Sequence, residues 1–357
     1  MPRNFKELKP AYGFDDVAIA PGDITINPEM ADISTNFDGI KLDIPFIASA
    51  MDAVVDPKFA IEMTKAGGLG VMNMDGLHTR YEDATVAYEE IASAPREEAT
   101  AIMQKIYSAP QKPELIAKKV EEVKKGGGTA AVSFVPQNAK RMAPLAVEAG
   151  ADMIVVQGTV VTARHSSKSL KGLVFADLIK DLNVPVLVGN TVSYEVTKEL
   201  MQQGIAGVMV GVGPGSVCTS REVLGIGIPQ VSATVECAAA RDDFFKETGK
   251  HIPIITDGGI RTGGDVCKSF AAGANAVMIG SPFAKTEEAP AHGYHWGMAT
   301  WHDSLPRGTR INVGTEYSLH QLLYGPSSRT DGTLNLVGAL QVCMGYVGAE
   351  NLREMNK

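Results

Sequence analysis

Four segments of this chain echo one another: EMTKAGGLGVMN (62–73), AVEAGADMIVVQ (146–157), LMQQGIAGVMVG (200–211) and SFAAGANAVMIG (269–280). Each reads as the end of a helix, a glycine stop and a short, wholly apolar strand. Glycine suits the left-handed conformation that closes a helix. A strand without polar alternation is buried on both faces, the condition of a parallel sheet covered by helices. Further apolar runs enter through proline, DIPFIASA (43–50), NVPVLVGN (183–190) and HIPIITDGG (251–259), and GTAAVSFVP (128–136) adds another. Together these predict strands near 44–50, 69–74, 129–135, 152–157, 184–190, 206–211, 252–257 and 276–280, with helical patterns between most of them. Eight strand–helix units predict an α/β chain folded as one (β/α)8 TIM barrel over 1–357, with no inserted second domain. ATAIMQKIY (99–107) reads as a ninth strand or as part of an excursion, 97–125, that includes the amphipathic PELIAKKVEEVKK (113–125); the excursion is preferred. A doubly wound open sheet is the alternative. It would want GxGxxG in the first unit, which is absent.

The formal net charge of −8 carries no block of like charge, which argues against a nucleic-acid surface while leaving room for a small anion. Four cysteines, Cys218, Cys237, Cys267 and Cys343, form no CxxC pair. A disulfide framework or a zinc site is not expected from that spacing, and a reducing cytoplasm is. No run approaches the roughly 18 apolar residues of a membrane span, and the first residues lack a signal-peptide core. The expectation is a cytoplasmic chain with no membrane or nucleic-acid partner.

In such barrels the active site lies where the strands end, often with a phosphate in the last two loops. Those loops are DGGIRTGGD (257–265) and GSP (280–282). Gly258, Gly259 and Gly280 would bring backbone N–H groups against an anion, and Ser281 adds a hydroxyl. Turn formation alone is the competing explanation of these glycines, and phosphate binding is preferred because both loops carry them. Asp257, at a strand end, suits the two hydroxyls of a ribose or the cap of the next helix. Asn190 and Gln157 also stand at strand ends, as ligand contacts or as ties to loop backbone. The most unusual stretch is GVGPGSVCTSREVLGIGIPQ (211–230), where Cys218 sits beside Thr219 and Ser220 among glycines. A free cysteine is usually a small buried hydrophobe, the reading given to Cys237, Cys267 and Cys343. On a bare loop at the barrel mouth, Cys218 reads instead as a nucleophile.

That loop resembles the cysteine loop of the IMP dehydrogenase and GMP reductase family. The likeness continues through SAMD (49–52), VGNT (188–191), TDGGIRTGGDVCKSFAAGANAVMIGSPF (256–283), EEAP (287–290), GMAT (297–300) and MGYVGAENLREM (344–355). It covers nearly the whole chain and is nearest the dehydrogenase-related subgroup that lacks the regulatory CBS pair, which would insert where 97–125 lies. The resemblance implies that Cys218 attacks C2 of IMP, that hydride passes to NAD, and that a thioimidate is hydrolysed to XMP. It implies that Ser216, Gly259, Gly280 and Ser281 hold the phosphate, Asp257 the ribose, and backbone near Gly297, Met298 and Ala299 the purine. Ser49 and Met51 would line the cavity, with Asn190 and Gln157 towards the nicotinamide. Carbonyls of Gly213, Gly215 and Cys218 match a potassium loop, and a homotetramer is the family's habit.

The sequence also departs from the pattern. The flap, 294–315, is short and has no Arg-Tyr dipeptide to activate water. Arg307 replaces a Gln or Glu at the purine, His295 a tyrosine at the phosphate, and Gln157 an aspartate near the nicotinamide ribose. Arg307 or Arg310, with Thr219 helping, is the expected replacement for the water activator; salt bridges or steering of the anionic ligand are the competing roles for both arginines. The alternatives for the whole chain are a GMP reductase using NADPH, a barrel flavin enzyme, and a nucleotide-binding relic without catalysis. No NHGG-like histidine supports the flavin, and an intact Cys218 speaks against the relic.

Overall fold

A computed structural model describes residues 8–166, 173–298 and 309–357. Its strands are β1 (Thr35–Phe37), β2 (Ile40–Leu42), β3 (Phe46–Ala48), β4 (Leu69–Asn73), β5 (Ala131–Phe134) and β6 (Met153–Gln157). They continue with β7 (Val186–Thr191), β8 (Gly207–Val210), β9 (Ile254–Asp257), β10 (Ala276–Ile279), β11 (Tyr294–Trp296) and β12 (Arg310–Asn312). Strands β3 to β10 are the eight expected from the sequence. They form a closed parallel barrel in chain order, with β10 pairing back onto β3. The open sheet is therefore ruled out.

Alternation along each strand divides the core in two. Ile47, Leu69, Val71, Met153, Val155, Leu187, Met209 and Met278 fill the barrel, while their neighbours Phe46, Ala48, Met72, Ile154, Val188 and Val277 meet the surrounding helices. Period-two geometry with both faces covered is why these strands read as unbroken apolar runs. The antiparallel β1–β2 hairpin closes the N-terminal end by inserting Phe37 and Leu42 into the barrel cluster. A Cβ at Gly207, where β8 begins, would stand 3.3 Å from the Phe37 ring. Removing a plug such as Phe37 costs about 3–5 kcal/mol.

The excursion expected over 97–125 divides in two. Glu114–Lys125 is a barrel helix: it buries Leu115, Ile116, Val120 and Val123 and packs between the helices Pro57–Lys65 and Pro136–Glu148. The additions to the barrel are two helices, Thr85–Ser93 and Ala99–Tyr107. The second is the stretch that resembled a ninth strand. Its buried residues, Ala99, Met103, Ile106 and Tyr107, recur at helical spacing. Met103, Ile106 and Tyr107 join Tyr88, Ile91 and Trp296 in a satellite cluster outside the barrel. In the flap, β11 and β12 pair antiparallel, Tyr294 opposite Asn312. Ala299 and Arg307 lie outside the described residues. Among the described residues no helix is long and apolar enough to cross a membrane.

Candidate active site

The C-terminal ends of the strands surround a cavity of about 1550 Å³. Ligand pockets ordinarily occupy about 300–1000 Å³, so this one has room beyond a single small ligand. Ser49, Met51, Gln157, Asn190, Gly213, Gly215, Ser216, Cys218, Thr219 and Asp257 line it. So do Gly258, Gly259, Gly280, Ser281, His295, Gly297 and Met298. Residues from six strand ends and the flap stem thus reach one space.

Three strand ends meet at Asp257. Asn190 Nδ2 donates to Asp257 Oδ2 at 2.8 Å, Gln157 Nε2 donates to the same oxygen at 2.9 Å, and Gln157 Nε2 also reaches Asn190 Oδ1 at 3.1 Å. Asn190 Nδ2 further donates to Gly211 O at 2.9 Å. The ligand-facing and loop-tying roles weighed for the two amides are therefore not exclusive in this geometry. No donor among the described residues reaches Asp257 Oδ1. Burial pushes the Asp257 carboxyl up to about 6, opposed by the Asn190 and Gln157 hydrogen bonds. Capping the next helix is not its role, because Thr262 caps Gly263–Ala271 by accepting from Asp265 N.

The loops after β8 and β10 converge on one point, where Ser216 Oγ and Ser281 Oγ lie 2.6 Å apart. Gly258 and Gly259 have φ of +91° and +79°, and a Cβ on Gly259 would sit 3.2 Å from both Pro214 Cβ and Pro214 O. Glycine is needed there for the backbone and for close approach to the cysteine loop. A Cβ on Gly280 would stand 3.3 Å from Met51 Sδ and 3.4 Å from His295 Nε2. His295 is buried, and that burial pushes its imidazole down to about 4. It is a neutral hydrogen-bonding group at neutral pH, not a cation.

Cys218 is a free, half-buried thiol on the cavity wall. Its backbone N–H donates to Gly215 O at 3.1 Å, and its Sγ donates to Ser220 Oγ at 3.3 Å. Ser220 lies beneath the wall as the first residue of the short helix Ser220–Leu224 and does not line the cavity. The other three cysteines have different settings. Burial pushes Cys237 up to about 12. Cys267 Sγ donates to Ala339 O at 3.5 Å, and its neighbour Cys343 together with burial pushes its thiol up.

Three enclosed polar atoms lining the same cavity have no hydrogen-bond partner among the described residues: Thr219 Oγ1, Gln230 Oε1 and His295 Nδ1. Buried polar groups are ordinarily satisfied, so this concentration points to a ligand that completes them. Gln230 escaped the sequence reading although it ends the glycine loop. Only the fold brings its Nε2 to Val210 O at 2.6 Å, beneath Asp257. Gly13–Asp16, Asp75, Arg80 and Gln111 also line the cavity, and no local signal marked them.

Arg310 is bound away from the cavity. Its guanidinium donates to the carbonyls of Ile91 and Ala92 and stacks 4.9 Å from the Tyr294 ring centroid, and it does not line the cavity. In the described geometry it braces the flap stem.

The sequence matches the IMP dehydrogenase / GMP reductase domain over residues 11–300. The chain belongs to the IMP dehydrogenase/GMP reductase family. It is similar to an uncharacterized oxidoreductase of Mycolicibacterium smegmatis, 39% identical over 97% of this chain and 95% of that protein. It is 30% identical to the inosine-5'-monophosphate dehydrogenase of Cryptosporidium parvum, over 99% of this chain and 92% of that one. A crystal structure of an IMP dehydrogenase/GMP reductase-like protein from Corynebacterium glutamicum superposes with a TM-score of 0.92 at 35% identity, covering 99% and 94% of the two chains. Family membership accounts for the barrel and for an oxidoreductase activity.

Proposed function

We propose that the protein oxidises IMP to XMP with NAD, through a thioimidate on Cys218. One observation carries the reading: an accessible thiol shares a single cavity with the paired Ser216 and Ser281 hydroxyls and the ribose-suited Asp257. The 5′-phosphate sits at Ser216 and Ser281 with backbone N–H groups of Gly259 and Gly280. Asp257 Oδ1 accepts from the ribose, and backbone at Gly297 and Met298 meets the purine.

The Cys218 thiolate adds to C2 and hydride leaves C2. NAD, when bound, accepts that hydride. Water then adds to the thioimidate carbon, the C–S bond breaks, and XMP departs with the thiol restored. Thr219 Oγ1, enclosed beside Cys218 and unpaired among the described residues, is placed to orient that water. Room for the dinucleotide comes from the cavity's extent towards Pro136, Gln111 and Arg80. Potassium fits less well. The loop offers the carbonyls of Gly213, Gly215 and Cys218, one already accepting from Cys218 N, whereas carbonyl sites for this ion surround it. No step is routed through it. A cytoplasmic homotetramer, the family's habit, completes the proposal.

Mixing the protein with IMP and NAD, and separately with GMP and NADPH, tests the reading at the reduced-nicotinamide absorbance band. A rise in the first mixture and a covalent purine adduct on Cys218 by mass spectrometry are expected. A fall confined to the second would assign the reductase reaction instead.

A further inference from the structure

Outside the cavity, one hydroxyl ties together three distant parts of the chain. Tyr107 ends the added helix Ala99–Tyr107 and is buried. Its hydroxyl donates to Asp52 Oδ2 at 2.6 Å and accepts from Trp296 Nε1 at 2.9 Å. Met298 Sδ lies 3.8 Å from the same oxygen. Asp52 follows the cavity residues Ser49 and Met51; Trp296 lies between the cavity residues His295 and Gly297. The two walls meet at Gly280, where Met51 Sδ and His295 Nε2 flank the site of its missing Cβ. Neither Tyr107 nor Trp296 lines the cavity.

The tyrosine is itself held. Arg80 Nε donates to Tyr107 O at 3.0 Å, and the guanidinium lies 6.0 Å from the ring centroid. Asp52 Oδ2 also accepts from Leu77 N at 2.9 Å, and Tyr88 OH donates to Asp52 O at 2.7 Å. Each bond crosses between elements that the barrel alone would leave independent.

We propose that Tyr107 is a positioning residue through which the added helix sets the 49–52 loop and the flap stem around the bound purine 5′-monophosphate. This rests on the nucleotide reading given above. The hydroxyl touches neither nucleotide nor Cys218; it acts by fixing Met51, His295 and Met298. Losing it takes the acceptor from Trp296 Nε1 and one donor from Asp52 Oδ2, and frees the walls to shift together.

The test uses the full chain. Tyr107→Phe is expected to raise KM for IMP about 10-fold, the scale of one lost buried hydrogen bond, with kcat within about twofold and the KM for NAD unchanged. Iodoacetamide should alkylate Cys218 at the wild-type rate. Trp296→Phe breaks one of the two bonds from the other side, so it should raise KM by no more than Tyr107→Phe does, and the double variant should be no worse than Tyr107→Phe. Tyr88→Phe, which removes a bond to Asp52 but none to the flap stem, should keep KM within about twofold of wild type. A lowered melting temperature with unchanged KM in both Tyr107→Phe and Trp296→Phe would reduce the tie to a stabilising contact and overturn the proposal. So would an equal KM rise in Tyr88→Phe. Should Tyr107→Phe not fold, Trp296→Phe still decides. Calorimetry with wild-type protein separates the two levels. No heat with IMP or GMP removes the nucleotide reading and this inference together, whereas equal IMP affinity in wild type and both variants removes this inference alone.

Discussion

The cysteine loop and the two added helices face the same barrel mouth but are built on opposite terms. Around Cys218, enclosed polar atoms stand without protein partners: Thr219 Oγ1, Gln230 Oε1 and His295 Nδ1. Around Tyr107, polar atoms are joined to one another, Trp296 to Tyr107, Tyr107 to Asp52 and Arg310 to the carbonyls of Ile91 and Ala92. An unpaired polar atom out of water is costly, and a protein keeps several together where a ligand repays the deficit. Mutual hydrogen bonds of this kind instead tie their elements to one another. The first region is arranged to receive; the second holds the receiver in shape.

Removing the reactive atom separates the two regions most sharply. Cys218→Ala should lower turnover by about 10⁴-fold or more while leaving nucleotide affinity near wild type, as read by steady-state rates beside calorimetry. Next in size is Asp257→Ala, expected to weaken IMP binding about 100-fold through the lost charged hydrogen bonds. Similar affinity of that variant for IMP and for a 2′,3′-dideoxy analogue that keeps the 5′-phosphate would confirm the contact.

The pH dependence of Asp257 has a definite sign. Its folded value of about 6 lies above the ordinary 3.8, so the proton is held more tightly in the folded state. Stability from this group is complete below about pH 3.8 and is lost as pH rises through about 6. Asp257→Asn should therefore melt higher than wild type at pH 8, with the gain disappearing towards pH 4. Affinity for the ribose runs the other way, since the carboxylate is the better acceptor: KM for IMP should rise as pH falls through about 6, and the Asn variant should lack that inflection.

The smallest effects belong to the bracing side. Arg310→Ala should cost about 2 kcal/mol of stability through two lost carbonyl bonds and a ring contact, with hydride transfer and hydrolysis otherwise unchanged. A variant that melted normally yet accumulated the covalent intermediate would return Arg310 to the chemistry.

The cysteine side was largely readable beforehand because its signals are local. Glycines after apolar strands mark turns, strand ends mark the mouth, and Cys218, Ser216 and Ser281 fall in the very loops those rules single out. The bracing side was not. Residues 99–107 carry enough β-branched and aromatic character to pass for a strand, and only packing against Ile91 and Trp296 makes them a helix with a purpose. Glu114–Lys125 was grouped with that excursion because amphipathicity tells that a helix has a buried face, not which neighbours bury it. Arg310 looked available because a sequence lists a charge without its partners.

What the chain determined by itself was the repeating unit and the loop that bears the thiol, since helix, glycine stop and buried strand are set by residues a few positions apart. The tertiary structure alone decided which distant groups touch. Gln157 meets Asp257 across 100 residues and Trp296 meets Tyr107 across 189. The physical reason is closure of the barrel. Closure brings strand ends and flap within hydrogen-bond reach, and that proximity determines which polar atoms are satisfied, which are left for a ligand, and where a carboxylate keeps its proton.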